Sequence, residues 1–302
     1  MYQTYDLLKI QRRFPTELTC RKYLERQRWP KGFWCPRCSS DRAGRHPPRG
    51  LYQCKGCRYP LSLTAGTIFH RTRTPLRTWF WLILLMSHNK HGISMLEAKR
   101  LLGMRSYQTV WTLCHKIRTA MAHRDSRYQL AGLVEMDDSL FGRRVIKGRW
   151  RRKPEGPKMV RIAVSTGRTG GPAFTHMEVT PETYTLHALD MAQRTISPKQ
   201  TIRTDGGTPF RALKDLGFRH DLHPRMNPQE MDRFLPWVHT LIANAKRFLV
   251  GTHHFEAPKH LQRFLDEFSY RFNRRWFQGR LFDRLLTACV TTGSVSYAEL
   301  IG

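Results

Sequence analysis

The chain has 302 residues, 40% of them hydrophobic, enough for two or three domains with sizeable cores. Lys and Arg number 52 against 23 Asp and Glu, a net charge of +29. An excess of that size repels itself unless a polyanion shares it, so nucleic acid is the leading partner and an anionic membrane surface the second. The most apolar run, Trp79 to Met86, is eight residues long, far short of the roughly 20 that span a bilayer. The opening MYQTYDLLKI lacks a basic-then-apolar signal pattern, and a cytoplasmic, nucleoid-associated location is expected.

Residues 4 to 28 read as a helical lead-in, broken at Phe14-Pro15-Thr16. Two Cys-x2-Cys pairs follow, Cys35/Cys38 and Cys54/Cys57, with fifteen residues between Cys38 and Cys54. Four thiolates at this spacing close a tetrahedral shell around one structural Zn²⁺. The Gly-, Pro- and Arg-rich segment between them reads as a hairpin arm. Cys20, Cys114 and Cys289 are scattered singly and read as small core residues.

Pro75 opens a buried helix through Trp79 to Met86, since proline at a first turn forfeits no hydrogen bond. Ser94-x-x-Glu97 is a capping box for a short helix that Gly103 stops. Val110, Cys114, Ile117 and Met121 then recur at helical spacing from about Ser106 to Met121. Helix, glycine turn and helix read as a helix-turn-helix. The second helix offers Gln108, Thr112, His115, Lys116 and Thr119 to base edges or phosphates; Gln108 and Lys116 are the DNA-contact candidates.

After Arg127 the pattern changes. Strands are expected near Leu133–Asp137, Val160–Val164 and Ala173–Val179, then a helix from Thr183 to Arg194. A strand at Thr201–Asp205, a helix at Pro209–Leu216, a strand at Phe218–Leu222 and a helix from Pro236 to about Val250 follow. This order describes a mixed α/β domain. Residues 143 to 158 carry eight basic residues and one acid, an exposed tip whose Arg149, Arg151 and Arg152 are suited to phosphates. The expected organisation is N-terminal helices and zinc ribbon in 1–72, helix-turn-helix in 73–127, the mixed α/β domain in 128–280 and a C-terminal tail in 281–302.

Asp137 lies on the first of these strands and Asp205 ends a later one before Gly206-Gly207. Adjacent strands can pair these carboxylates, and paired carboxylates suit Mg²⁺ or Mn²⁺. On the last helix His239 and Lys246 are seven residues apart, about 20° round the helix, so they share one face. Asn244 is the rival there, about 140° from His239. Asp138 is the rival of Asp137, and strand alternation lets only one of the two face a metal.

The stretches FPTELTCRKYLERQRWPKGFWCPRC, YQCKGCRYPLSLTAGTIFH, GISMLEAKRLLGMRSYQTVWTLCHKIRTAM, VEMDDSLFG, TDGG and GTHHFEAPKHLQRFLDEFSYRFNRR are spread along the chain from Phe14 to Arg275. In these the chain resembles bacterial insertion-sequence transposases that join an N-terminal zinc ribbon to a ribonuclease H-like catalytic domain. The resemblance implies a ribonuclease H-like mixed sheet with helices, preceded by the ribbon and the helix-turn-helix. It implies Asp137 and Asp205 as the first two catalytic acids. The family's third member lies seven residues before a basic residue, which selects His239 before Lys246, as in a subgroup where His replaces the commoner Glu. These three would hold two catalytic Mg²⁺ or Mn²⁺ ions, with Lys246 on a DNA phosphate. The implied activity is metal-dependent cleavage and strand transfer at the terminal inverted repeats, on double-stranded DNA and in a homo-oligomer. A zinc-ribbon regulator without catalysis and a nuclease that cuts without joining are the alternatives.

Overall fold

The computed structural model describes residues 7–46, 51–89, 91–142, 156–180, 185–223, 227–253 and 258–302. Two compact units divide the chain, Met1–Arg124 with Phe277–Gly302, and Asp125–Trp276.

The first unit opens with α1 (Leu7–Arg13) and α2 (Glu17–Arg28), the second started by a Thr16/Thr19 capping box. Strands β1 (Ala43–His46), β2 (Leu51–Cys54) and β3 (Pro60–Ser62) form an antiparallel sheet in that order. One cysteine pair precedes β1, and the other starts at the end of β2 and lies in the turn to β3. Their four sulfurs lie within 4.8 Å of one another, with Cys35–Cys57 at 3.7 Å and Cys38–Cys54 at 3.5 Å. A tetrahedral ZnS₄ shell with Zn–S of about 2.3 Å spaces its sulfurs by about 3.8 Å, so the cluster fits structural zinc. The Cys57 N–H facing Cys54, helped by that of Gly56, holds the Cys54 thiol down at about 6 against the cost of burial. Arg28 fastens the ribbon to α2 by donating to the carbonyls of Ser62, Leu63 and Ala65.

Helix α3 (Leu76–His88) is the buried helix expected after Pro75. Its first free N–H groups, on Leu76 and Arg77, donate to the Glu17 carboxylate at 2.8 and 3.0 Å. Helices α4 (Met95–Leu101) and α5 (Tyr107–Asp125) are the helix-turn-helix pair, joined through Gly103 at φ +60°.

The second unit contains β4 (Leu133–Phe141), β5 (Lys158–Thr166), β6 (Pro172–Thr180), α6 (Thr185–Thr195), β7 (Thr201–Thr204), a 3₁₀ segment Thr208–Leu216, β8 (Arg219–Leu222), α7 (Pro228–Phe234), α8 (Pro236–His253) and α9 (Leu261–Phe272). Its sheet runs β6-β5-β4-β7-β8. The first three strands are antiparallel, and β7 and β8 join parallel to β4. This is the ribonuclease H-like mixed sheet expected above. Alternation splits β4 between two cores. Val134 and Met136 pack with Ala163, Met191, Ile202 and Phe210 on the α6 side. The odd-numbered residues face the other way, where α8 buries Val238, Leu241, Ala245, Phe248 and Leu249. Among the described residues no helix is long and apolar enough to cross a membrane.

Helices α10 (Leu281–Thr291) and α11 (Tyr297–Ile301) follow. Residues 281–302, set apart above as a tail, fold within the first unit. Phe282 joins Phe14 and Phe80 in a ring cluster at 5.5 and 5.6 Å, and Tyr23 Oη donates to Asp283 Oδ1 at 2.6 Å.

A three-stranded sheet of this size needs its metal to persist. About one zinc per chain is expected by elemental analysis. Cys54→Ser is expected to lose it and to open residues 35–57 to proteolysis. A Cys54→Ser protein whose ribbon resists protease as well as the native one would overturn the assignment.

Candidate active site

The site starts from strand register. Leu133, Val134 and Glu135 pair with Thr201, Ile202 and Arg203 in parallel. Two residues on, Asp137 and Asp205 occupy equivalent positions on neighbouring strands, on the face that carries Glu135 and Arg203. Asp205 follows the last paired residue of β7 and turns back, its Oδ1 accepting from Gly207 N–H at 2.9 Å. A β-carbon on residue 207 would sit 3.1 Å from that oxygen, and Gly206 has φ +74°. The two glycines thus make a cradle for this one carboxylate.

Helix α8 supplies the third group. His239 Nε2 lies 3.3 Å from Asp137 Oδ2, and its Nδ1 lies 2.6 Å from Asp232 Oδ1 on α7. Asp137, and then Asp232, raise the pKa of His239 against the effect of burial. Asn244 sits about 140° round the helix, so His239 is the residue that α8 turns toward Asp137. Lys246, two turns on, donates to Ser139 Oγ at 2.9 Å and lies 5.2 Å from the Phe141 ring centre. Burial lowers its pKa, with Asp137 opposing.

Asp138 points the other way. Arg161 donates to both of its oxygens at 2.8 Å, and Arg161 is only 1% exposed. Burial raises the Asp138 pKa, opposed first by Arg161. One aspartate of the pair is locked to a guanidinium; its neighbour faces an imidazole and solvent.

The sequence reading missed the groups that aim α8. Glu135 Oε2 accepts from the N–H groups of Trp237 and Val238, both at 2.9 Å. Burial raises the Glu135 pKa, opposed by those N–H groups and by Arg203. Arg203 donates to the Phe234 carbonyl at 3.3 Å and to Asp221 at 3.0 Å, with its guanidinium 4.5 Å from the Phe234 ring centre. The register partners Glu135 and Arg203 therefore clamp both sides of the α7–α8 junction, one layer below the aspartates. Asp137 with His239, and Asp205 at the end of the neighbouring strand, are a donor set of a type that suits a hard or borderline divalent cation. They do not converge as tightly as the cysteines: among the described residues, only the four sulfurs form a group with every ligand atom within 4.8 Å of the others.

Of the expected DNA contacts, Arg149, Arg151 and Arg152 lie outside the described residues. Gln108 is exposed and donates to Tyr297 Oη at 2.8 Å, and Lys116 is half-buried, its pKa lowered by burial. His115 is not on a solvated face. It is fully buried, its ring 4.2 Å from that of Trp111.

Residues 129–273 match the ISXO2-like transposase domain, and residues 15–60 match the transposase zinc-ribbon domain. Over 144 residues, 47% of each protein, the chain is 28% identical to the uncharacterized protein in transposable element ISH50 of Halobacterium salinarum. It thus spans about half the length of the curated relative it matches. Two solved structures align over 68% of this chain and 76% of theirs. They are the Mos1 strand transfer complex, at TM-score 0.30 and 14% identity, and the Mos1 transposase paired-end complex with left transposon end, at 0.29 and 12%. At those scores the likeness adds nothing to the fold, which rests on strand order.

Two stability measurements test this geometry. Asp138→Ala strands a buried guanidinium and is expected to cost about 3–5 kcal/mol in denaturant unfolding, whereas Asp137→Ala is expected to stay within about 1 kcal/mol. Equal losses would contradict the two-faced reading of β4. Glu135→Ala leaves the first N–H groups of α8 unmatched and is expected to cost about 2–3 kcal/mol. A neutral result would remove Glu135 as the anchor of the helix.

Proposed function

We propose that this chain, whose residues 129–273 and 15–60 match the ISXO2-like transposase domain and the transposase zinc-ribbon domain, is an insertion-sequence transposase that cuts and joins DNA at Asp137, Asp205 and His239. The ribbon and helix-turn-helix would engage the terminal inverted repeats of the element. Hydrolysis of a phosphodiester at the element's end would free a 3′-hydroxyl, which would then attack a phosphodiester of target DNA. Both steps are in-line displacements at phosphorus, so one site serves both.

Asp137, Asp205 and His239 are the residues that would hold Mg²⁺ or Mn²⁺, two ions in the working site. Metal bound there would supply activation of the attacking oxygen and stabilisation of the leaving one. The chain's own residues do the remaining work. Lys246, on the His239 face of α8, would take a phosphate oxygen next to the acids. Arg149, Arg151 and Arg152, with Gln108 and Lys116 of α5, would add DNA contacts, the cationic ones weakening steeply with salt. Holding two element ends for joining requires a homo-oligomer.

One observation supports this reading: the parallel β4–β7 register pairs Glu135 with Arg203, two residues before Asp137 and Asp205, and the His239 imidazole lies 3.3 Å from Asp137. A labelled element end, Mn²⁺ and a target plasmid test it. Joined product is expected from the native protein. Asp137→Ala and Asp205→Ala are each expected to cut joining by at least about a hundredfold, the scale on which loss of one transition-state contact is felt, while still binding the end. Cleavage without joining would make the protein a nuclease, and binding alone would make it a regulator.

A further inference from the structure

His239 departs from an all-carboxylate site, and the departure has an electrostatic cost. Two aspartates and a neutral imidazole offer a dication one negative charge fewer than three carboxylates. Imidazole is also the poorer partner for a hard cation. The missing charge stands directly behind the ring. Asp232 Oδ1 is 2.6 Å from Nδ1, while Nε2 faces Asp137 at 3.3 Å. Along this line the side chains run from exposed to half-buried: Asp232 at 70%, His239 at 29% and Asp137 at 19%.

We propose that Asp232 is the positioning residue that makes His239 a competent third ligand. Its carboxylate accepts the Nδ1 proton, fixes the tautomer in which Nε2 carries the lone pair, and returns to the site the charge that the imidazole lacks. This rests on the metal-site reading above. A carboxylate behind a ligating histidine orients the ring and raises its basicity, whereas an ion pair formed only on an exposed surface contributes little. The geometry here is the former. The pair joins two helices across the Leu235–Pro236 break. That break is held on one side by Arg203 on the Phe234 carbonyl and on the other by Glu135 on the Trp237 and Val238 N–H groups. The α7 start is itself fixed by the Asn227/Glu230 capping box. Asp232 is thus presented to Nδ1 by anchored backbone.

The test is Mn²⁺ titration of the full-length, zinc-loaded protein, read by electron paramagnetic resonance in the absence of DNA. Asp232→Asn is nearly isosteric and largely exposed, so it should fold. It is expected to weaken Mn²⁺ binding by about 10–100-fold, the range found for loss of such partners. Asp232→Glu should recover part of that affinity. In a His239→Glu background the third carboxylate is already present, so adding Asp232→Asn should change Mn²⁺ affinity less than about twofold, because the proposed effect passes only through the imidazole. Native affinity in Asp232→Asn, or an equal loss in both backgrounds, would overturn the proposal. If Asp137→Ala also binds Mn²⁺ like the native protein, the metal-site reading falls with it. If Asp137→Ala loses the metal and Asp232→Asn does not, only Asp232 is discarded.

Discussion

The parallel pairing of β4 with β7 is the constraint on which the second unit depends. It aligns Glu135 with Arg203 and, one step of alternation further, Asp137 with Asp205. The first layer is mechanical and the second chemical. Glu135 and Arg203 seize the two sides of the α7–α8 junction, so α8 departs along β4 from a fixed point. Geometry then carries the rest. Eight helical residues from Val238 to Lys246 rise about 12 Å, and four strand residues from Glu135 to Ser139 rise about 13 Å. Helix and strand keep pace, which is why one helix meets β4 at Glu135, Asp137 and Ser139 in turn. A register slip of one residue would send every one of these side chains to the other face.

The same device starts the buried helix α3 of the first unit. Pro75 and Pro236 each begin a helix whose first N–H groups lack intrahelical partners. In each case a glutamate distant in sequence accepts two of them: Glu17 for α3 and Glu135 for α8. A carboxylate there complements the positive end of the helix dipole. In a chain with 23 acids against 52 bases, spending two glutamates this way ties each helix to the element that must orient it, α2 beside the ribbon and β4 beneath the aspartates.

Local pattern explains what could be read without coordinates. The cysteine spacing, the alternation in β4, the Asp205-Gly206-Gly207 end and the common face of His239 and Lys246 are all short-range signals. The assignment of Asp137 over Asp138 needed the resemblance, because alternation alone says that the two diverge and not which way. Asp232 was invisible because its contact crosses the Leu235–Pro236 break: the seven residues to His239 are not one helix, so helical arithmetic does not apply. Glu135 is as local in sequence as Asp137, yet its partners lie 102 and 103 residues away. His115 was grouped with Gln108 and Lys116 as a residue open to DNA, but it is fully buried, its ring against that of Trp111. The α10 helix belongs to the first unit because Phe282 completes a ring cluster with Phe14 and Phe80, a contact no window of sequence contains.

A basic chain faces a particular difficulty in keeping an anionic site open, since any nearby Lys or Arg can fill it. The neighbouring aspartates show two outcomes. Asp138 is closed by Arg161, a guanidinium that does not deprotonate at any ordinary pH and is itself buried. Asp137 has an imidazole instead, which can give up its proton and bind a cation through the same nitrogen. The nearest lysine on the helix, Lys246, is drawn to Ser139 and the Phe141 ring and so does not occupy the carboxylate. Asp205 spends one oxygen on the Gly207 N–H, a neutral donor that orients the group without cancelling its charge. In the proposed site, Asp137 and Asp205 would be kept available by what their neighbours cannot do, and a histidine in the third position would be part of that arrangement.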